Sequence, residues 1–174
     1  NHKNSSLFLS VVSDNRPGIV EALSQIIADH DGNWTESSMM SLAGKFAGIL
    51  LVQIPEKRAS GFVKTLEALE RDGIQIVAQR SEISPVADTS REYSIDLVGQ
   101  DRLGIVREIT EVLAKHHVNV QELETTVQSA SMSGESLFMA HAQVFVPPEA
   151  SLEALQDELE ELANELMVDI ELEA

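Results

Sequence analysis

The chain has no cysteine, one tryptophan, one tyrosine, and 12 basic side chains against 29 acidic ones in 174 residues. Without cysteine it can form no disulfide, thiolate metal site or thiol nucleophile; this permits a cytoplasmic location without requiring one. A formal charge of −17 repels phosphate backbones and anionic membrane surfaces, so direct nucleic-acid binding is not expected. Aromatics at 4% are too few for the stacking face of an RNA-recognition sheet. No apolar run is long enough to span a bilayer, and residues 1–6 are polar, without the hydrophobic segment of a secretory signal. Together these absences predict a soluble, cytoplasmic protein.

Catalytic and metal-binding patterns are also lacking. There is no HExxH, GxSxG, P-loop or GxGxxG, and the histidines do not fall at metal-ligand spacing. His30 and His116 fall in the last turn of predicted helices, where partial positive charge suits the dipole. His117 and His141 are left as a pair that could approach one another. Asp29-His30-Asp31-Gly32-Asn33 has its glycine at the wrong position for a calcium loop. No cofactor and no metal are expected, and an enzyme is not.

What the chain does have is a repeat. Asn15-Arg16-Pro17-Gly18-Ile19-Val20 returns 86 residues later as Asp101-Arg102-Leu103-Gly104-Ile105-Val106. Each copy follows a short apolar, β-prone run and opens an amphipathic stretch. Ile19, Val20, Leu23, Ile26 and Ile27 fall at the spacing of one helix face, and Ile105, Val106, Ile109, Val112 and Leu113 repeat it. The match continues through His30/His116, Asn33/Asn119 and Glu36/Glu122, then slips, because Pro147 matches Pro55 only with a second hairpin about six residues longer. The extra residues are placed in 128–135, read as a mobile loop. Gly32 is assigned the left-handed position after the first helix.

Each unit therefore reads β-α-β-β-α-β, an α+β, ferredoxin-like arrangement of two helices on one face of an antiparallel sheet. The predicted organisation is a first domain over 1–84, a linker over 85–91 and a second domain over 92–174. The leucines at 152, 155, 159, 162 and 166 are assigned to a core-facing helix in preference to a coiled-coil seam.

The turns themselves are suited to a small zwitterion. Backbone N–H groups near Gly18 and Ile19 point out of a helix start whose dipole favours a carboxylate, and glycine lets a ligand approach the backbone. Asn15 and Asn33 each carry a donor and an acceptor, whereas Asp101, when ionised, only accepts. The first turn is therefore expected to bind better than the second. Asn15 and Asp101 fit turn or helix-cap duty equally well, and Asn33 and Asn119 fit a place just after a helix end.

The two turn motifs, set twice in the same element order over nearly the whole chain, resemble tandem ACT domains. That resemblance implies a small amino-acid effector such as glycine or serine, bound where two units meet. The site residues it implies are Asn15, Arg16, Pro17, Gly18, Ile19 and Asn33, with Asp101, Gly104, Ile105 and Asn119 in the second unit. Among members made of two ACT units and nothing else, the likeness is to regulators of glycine-cleavage genes. It implies a non-enzymatic protein that restrains a DNA-binding transcription activator, with a homodimer among the expected assemblies. The alternative it leaves open is a regulatory subunit of an amino-acid-metabolising enzyme.

Overall fold

In the computed structural model, which describes residues 3–81, 90–129 and 134–174, the chain divides into two compact units, Asn1–Pro85 and Val86–Ala174. Most of the expected linker, and residues 130–133 of the expected loop, lie outside the described residues.

The first unit is β1 (Asn4–Asp14), α1 (Ile19–Asp29), β2 (Asn33–Leu42), β3 (Lys45–Pro55), α2 (Ala59–Ala68) and β4 (Gln75–Arg80), with a short 3-10 turn on either side of α2. Its antiparallel sheet has the order β2-β3-β1-β4. Alternation in β1 sends Leu7, Leu9 and Val11 inward, where they meet Leu50, Val52 and Ile54 of β3. Helix α1 closes this face with Ile19, Leu23 and Ile27, and α2 with Phe62 and Leu66. At about 1.5–3 kcal/mol for each fully buried large apolar side chain, this one-sided burial holds helices and sheet together.

The second unit repeats the plan: β5 (Arg91–Gln100), α3 (Ile105–Lys115), β6 (Asn119–Ser129), β7 (Ser136–Val146), α4 (Leu152–Leu166) and β8 (Val168–Glu173), in the order β6-β7-β5-β8. Leu155, Leu159, Leu162 and Leu166 of α4 are buried in this unit's own core. The chain is thus an α+β protein of two ferredoxin-like sheets with helices on one face of each.

Two local expectations are corrected and one open possibility is closed. Gly32 is not left-handed; Asp31 takes that conformation at φ 57°. At 32 the constraint is space, since a Cβ there would lie 2.3 Å from Ile54 Cδ1 and could enter only if that buried side chain shifted. The second hairpin remains strand for longer than read, because Gln128 pairs with Leu137 and Ser129 with Ser136. Finally, His117 and His141 do not converge. His117 follows the C-cap of α3 in a left-handed conformation, while His141 sits in mid-β7 on the face away from the helices, with Nδ1 2.6 Å from Asp96 Oδ1.

Candidate ligand site at the strand-to-helix turns

In the first unit, β1 ends at Asp14 and the chain bends over the β2–β3 hairpin, where Asn15 N–H donates to the Gly44 carbonyl at 3.0 Å. Gly18 then enters α1 at φ 94°, a conformation costly for any residue with a Cβ. The first bond belonging to the helix is Ala22 N–H to Gly18 O at 2.9 Å. The N–H groups of Ile19, Val20 and Glu21 have no acceptor within the helix and no side-chain cap. They gather the positive end of the dipole at an exposed turn.

The second unit reproduces this geometry. Asp101 N–H donates to Ser136 O at 2.8 Å, Gly104 stands at φ 86°, and Glu108 N–H reaches Gly104 O at 3.0 Å, again without a side-chain cap. Asn15 and Asp101 therefore do not cap their helices. Among the described residues, the side chains of Asn15, Asn33, Asp101 and Asn119 are all exposed and none makes a hydrogen bond.

The neighbouring side chains differ between the two turns. The Arg16 guanidinium donates to the Asp72 carbonyl beyond α2 and anchors the first turn to its own unit. Arg102 has no such partner among the described residues, and Leu103, in the place of Pro17, is 99% exposed. Lys45 hydrogen-bonds Asp14 and holds that carboxyl below its usual range; so exposed a pair adds little stability.

The structure separates Asn15 from Asn33 within a unit. Asn33 is level with Gln53, which is level with Ser6, whereas Asn15 follows Asp14 at the opposite end of β1. The eight steps from Ser6 to Asp14, at about 3.3 Å each, place the two asparagines ~27 Å apart along the strand direction. Strands β1 and β2 run parallel with β3 between them, so the crossover through α1 returns the chain to the starting end. The turn residues Asn15, Gly18 and Ile19 cluster together; Asn33 does not join them, and Asp101 and Asn119 are split in the same way.

An apolar crevice of about 30 Å³ runs along α3 in the second unit, lined by Val106, Ile109 and Leu113 on the helix and by Val120 and Ala142 on the sheet. At the equivalent positions of the first unit stand the larger side chains Trp34 and Leu50, Leu50 buried in its core and Trp34 packed against it.

Comparison with known proteins matches the ACT domain model to residues 5–79 and again to residues 94–173. The chain belongs to the ACT domain family. A UPF0237 protein of Methanocaldococcus jannaschii is 32% identical over 82 residues, covering 45% of this chain and 91% of its own, and so corresponds to one ACT unit. A solved structure of an unknown protein from Galdieria sulphuraria matches both units, with a TM-score of 0.86, 35% identity and 98% of each chain covered. A second, provisionally described as a glycine cleavage system transcriptional repressor, aligns over 97% of this chain and 96% of its own with a TM-score of 0.70. Its identity of 18% shows shared fold alone.

Sequence reasoning passed over the row formed by His141 and Asp96 on the outer face of the second sheet. The two are 45 residues apart and meet only through the β5–β7 register. The available signal was polar residues at alternate positions of two strands that otherwise read as core.

Proposed function

We propose that this ACT protein is a regulator that senses a small amino acid at the first-unit turn and passes the bound state to a DNA-binding transcription activator. The observation carrying the reading is the uncapped helix start at Gly18, with three N–H groups that have no acceptor in the helix beside an Asn15 side chain that makes no hydrogen bond. A carboxylate suits the N–H groups and the dipole, while the Asn15 carbonyl can accept from an ammonium. Asp101 replaces that amide with a carboxylate that opposes the ligand's own, so the second turn binds more weakly. Asn33 can serve the same ligand only if a second copy brings its own Asn33 to the Asn15 end. The repressor-like fold relative supports regulation of glycine-cleavage genes, and the charge of −17 favours acting on a DNA-binding protein over binding DNA. Ligand would shift the chain toward one arrangement, and the partner would read it through differential affinity.

Calorimetric titration with glycine, serine and other small amino acids tests the sensor. Saturable binding lost in Asn15→Ala, and weakened much less in Asp101→Ala, supports it; no heat with any of them removes it. Affinity capture with and without glycine tests the partner: a transcription factor is expected, whereas a metabolic enzyme would favour the regulatory-subunit alternative.

A further inference from the structure

The pairing registers define what each sheet shows on the face away from its helices. In the first unit three rungs cross all four strands: Glu36–Leu51–Phe8–Gln79, Ser38–Ile49–Ser10–Val77 and Met40–Ala47–Val12–Gln75. The equivalent rungs of the second unit are Glu122–Gln143–Ser94–Glu173, Glu124–His141–Asp96–Glu171 and Thr126–Met139–Val98–Asp169. One fold thus carries a single carboxylate on the first face and six on the second. The fold does not require the apolar choice, since its duplicate works with charges in the same places.

The first face is also uncovered. Val12, Met40, Ile49 and Val77 are 48%, 53%, 48% and 57% exposed, whereas large apolar side chains on a sheet are ordinarily covered. A depression of about 400 Å³ on it is lined by the small residues Ser10, Ser38 and Ala47 together with Val12, Met40 and Ile49. A contiguous exposed apolar patch of this kind marks an interaction surface, and a two-fold interface needs only one such patch, presented by both copies.

Charge selects the unit at which two copies can meet. Residues 1–85 carry eight Lys and Arg against ten Asp and Glu, and residues 86–174 carry four against nineteen. Nearly the whole negative charge therefore lies in the second unit, and a second copy meets least repulsion at the near-neutral first unit. We infer that the outer face of the first sheet is a homodimer interface, two copies packing face to face through the Ser38–Ile49–Ser10–Val77 rung and its neighbours. Four strands at about 4.8 Å and three rungs at about 6.7 Å give a plan of roughly 19 by 20 Å per copy, a contact smaller than the ~800 Å² per partner of a standard interface. The dimer is accordingly of the small, transient class and depends on concentration. It stands whatever effector the turn takes.

The test transplants the second unit's rung into the first as Ser38→Glu, Ile49→His, Ser10→Asp and Val77→Glu, a set the duplicate sheet already accommodates. Sedimentation velocity of the full chain from about 1 to 500 μM should show a monomer–dimer equilibrium in the native chain. In the transplant it should show a shift toward monomer of tenfold or more in dissociation constant, with an unchanged circular dichroism spectrum. Should the fourfold variant misfold, Ile49→His alone, on an exposed position, should weaken the dimer in the same direction. A native chain that stays monomeric throughout would overturn the interface. So would a dimer indifferent to the transplant, which would place the contact at a sheet edge, and so would a face that saturates only with a different protein.

Discussion

His141 lies in the most highly charged row of the second sheet, with Asp96 bonded to Nδ1 at 2.6 Å, Glu124 opposite it on β6 and Glu122 one rung away. The Asp96 hydrogen bond, supported by the charges of Asp96, Glu124 and Glu122, raises its pKa above the ordinary 6.5. A folded value above the unfolded one means that the contribution to stability is fully present below about pH 6.5 and fades as pH rises through the folded value. Asp96→Asn should move the His141 midpoint, followed by the ring-proton shift in an NMR titration, back toward 6.5; an unmoved midpoint would show that Asp96 is not the cause. Two glycines make a second contrast at this scale. Gly18 has open space around a would-be Cβ but a left-handed φ, so Gly18→Ala costs about 1–2 kcal/mol of backbone strain, and asparagine, which tolerates that region, should cost less. Gly32→Ala meets Ile54 Cδ1 and costs about 1–3 kcal/mol of overpacking, which removing that methyl with Ile54→Val should relieve in part, the Ile27 Cγ2 and carbonyl contacts at 3.0 Å remaining. Denaturant melts of the four variants separate the two mechanisms. The strain at Gly18 was legible from its place between strand and helix. The constraint at Gly32 was not, because it arises from a side chain 22 positions away on β3.

Among the elements, α4 is the one most dependent on its cap and its buried leucines. It carries Glu153, Asp157, Glu158, Glu160, Glu161 and Glu165 and no basic residue in its last turn, so it gains nothing from the dipole at its C-terminus. The Ser151 hydroxyl accepts from Ala154 N–H at 3.2 Å, and Lys115 of α3 meets Glu158 at 3.0 Å, holding that carboxyl below its usual range. Ser151→Ala should cost about 1 kcal/mol, and Leu155→Ala, at a fully buried position, about 2–5 kcal/mol. Equal losses for the two in urea melts would contradict the assignment of α4 as a core-packed helix. The elements were legible because each apolar period occurs twice, with the second copy checking the first. The separation of Asn15 from Asn33 follows from β1 and β2 running parallel. That is implied by the order β-α-β-β-α-β, but only when strand direction is followed as closely as strand number. The charged rungs could not be read in advance, since a rung joins residues from four strands and depends on a register the hairpin length alone does not set.

At the scale of the whole molecule, the uneven charge makes the two units respond differently to salt. With nineteen acidic and four basic residues in 86–174, against ten and eight in 1–85, self-repulsion falls almost wholly on the second unit. The screening length shortens from about 30 Å at 0.01 M to about 3 Å at 1 M, which relieves repulsion among exposed carboxylates such as Glu122, Glu124, Glu171 and Glu173. The chain provides a reporter for each unit: Trp34, its single tryptophan, packs on the first core and Tyr93, its single tyrosine, on the second. Raising salt from 0.01 to 1 M should move the Trp34 fluorescence midpoint little. The Tyr93 midpoint, read in a Trp34→Phe background so that energy transfer does not hide it, should rise by several degrees. A gain of about 1 kcal/mol corresponds to about 4–8 °C for a unit of this size. Chloride and sulfate should agree at matched low ionic strength if screening is the cause, because preferential exclusion distinguishes the two salts only at high concentration. Equal shifts of both reporters would mean that the acidic excess does not destabilise its own unit, and the charge-based choice of the first unit as the meeting point for two copies would lose its footing.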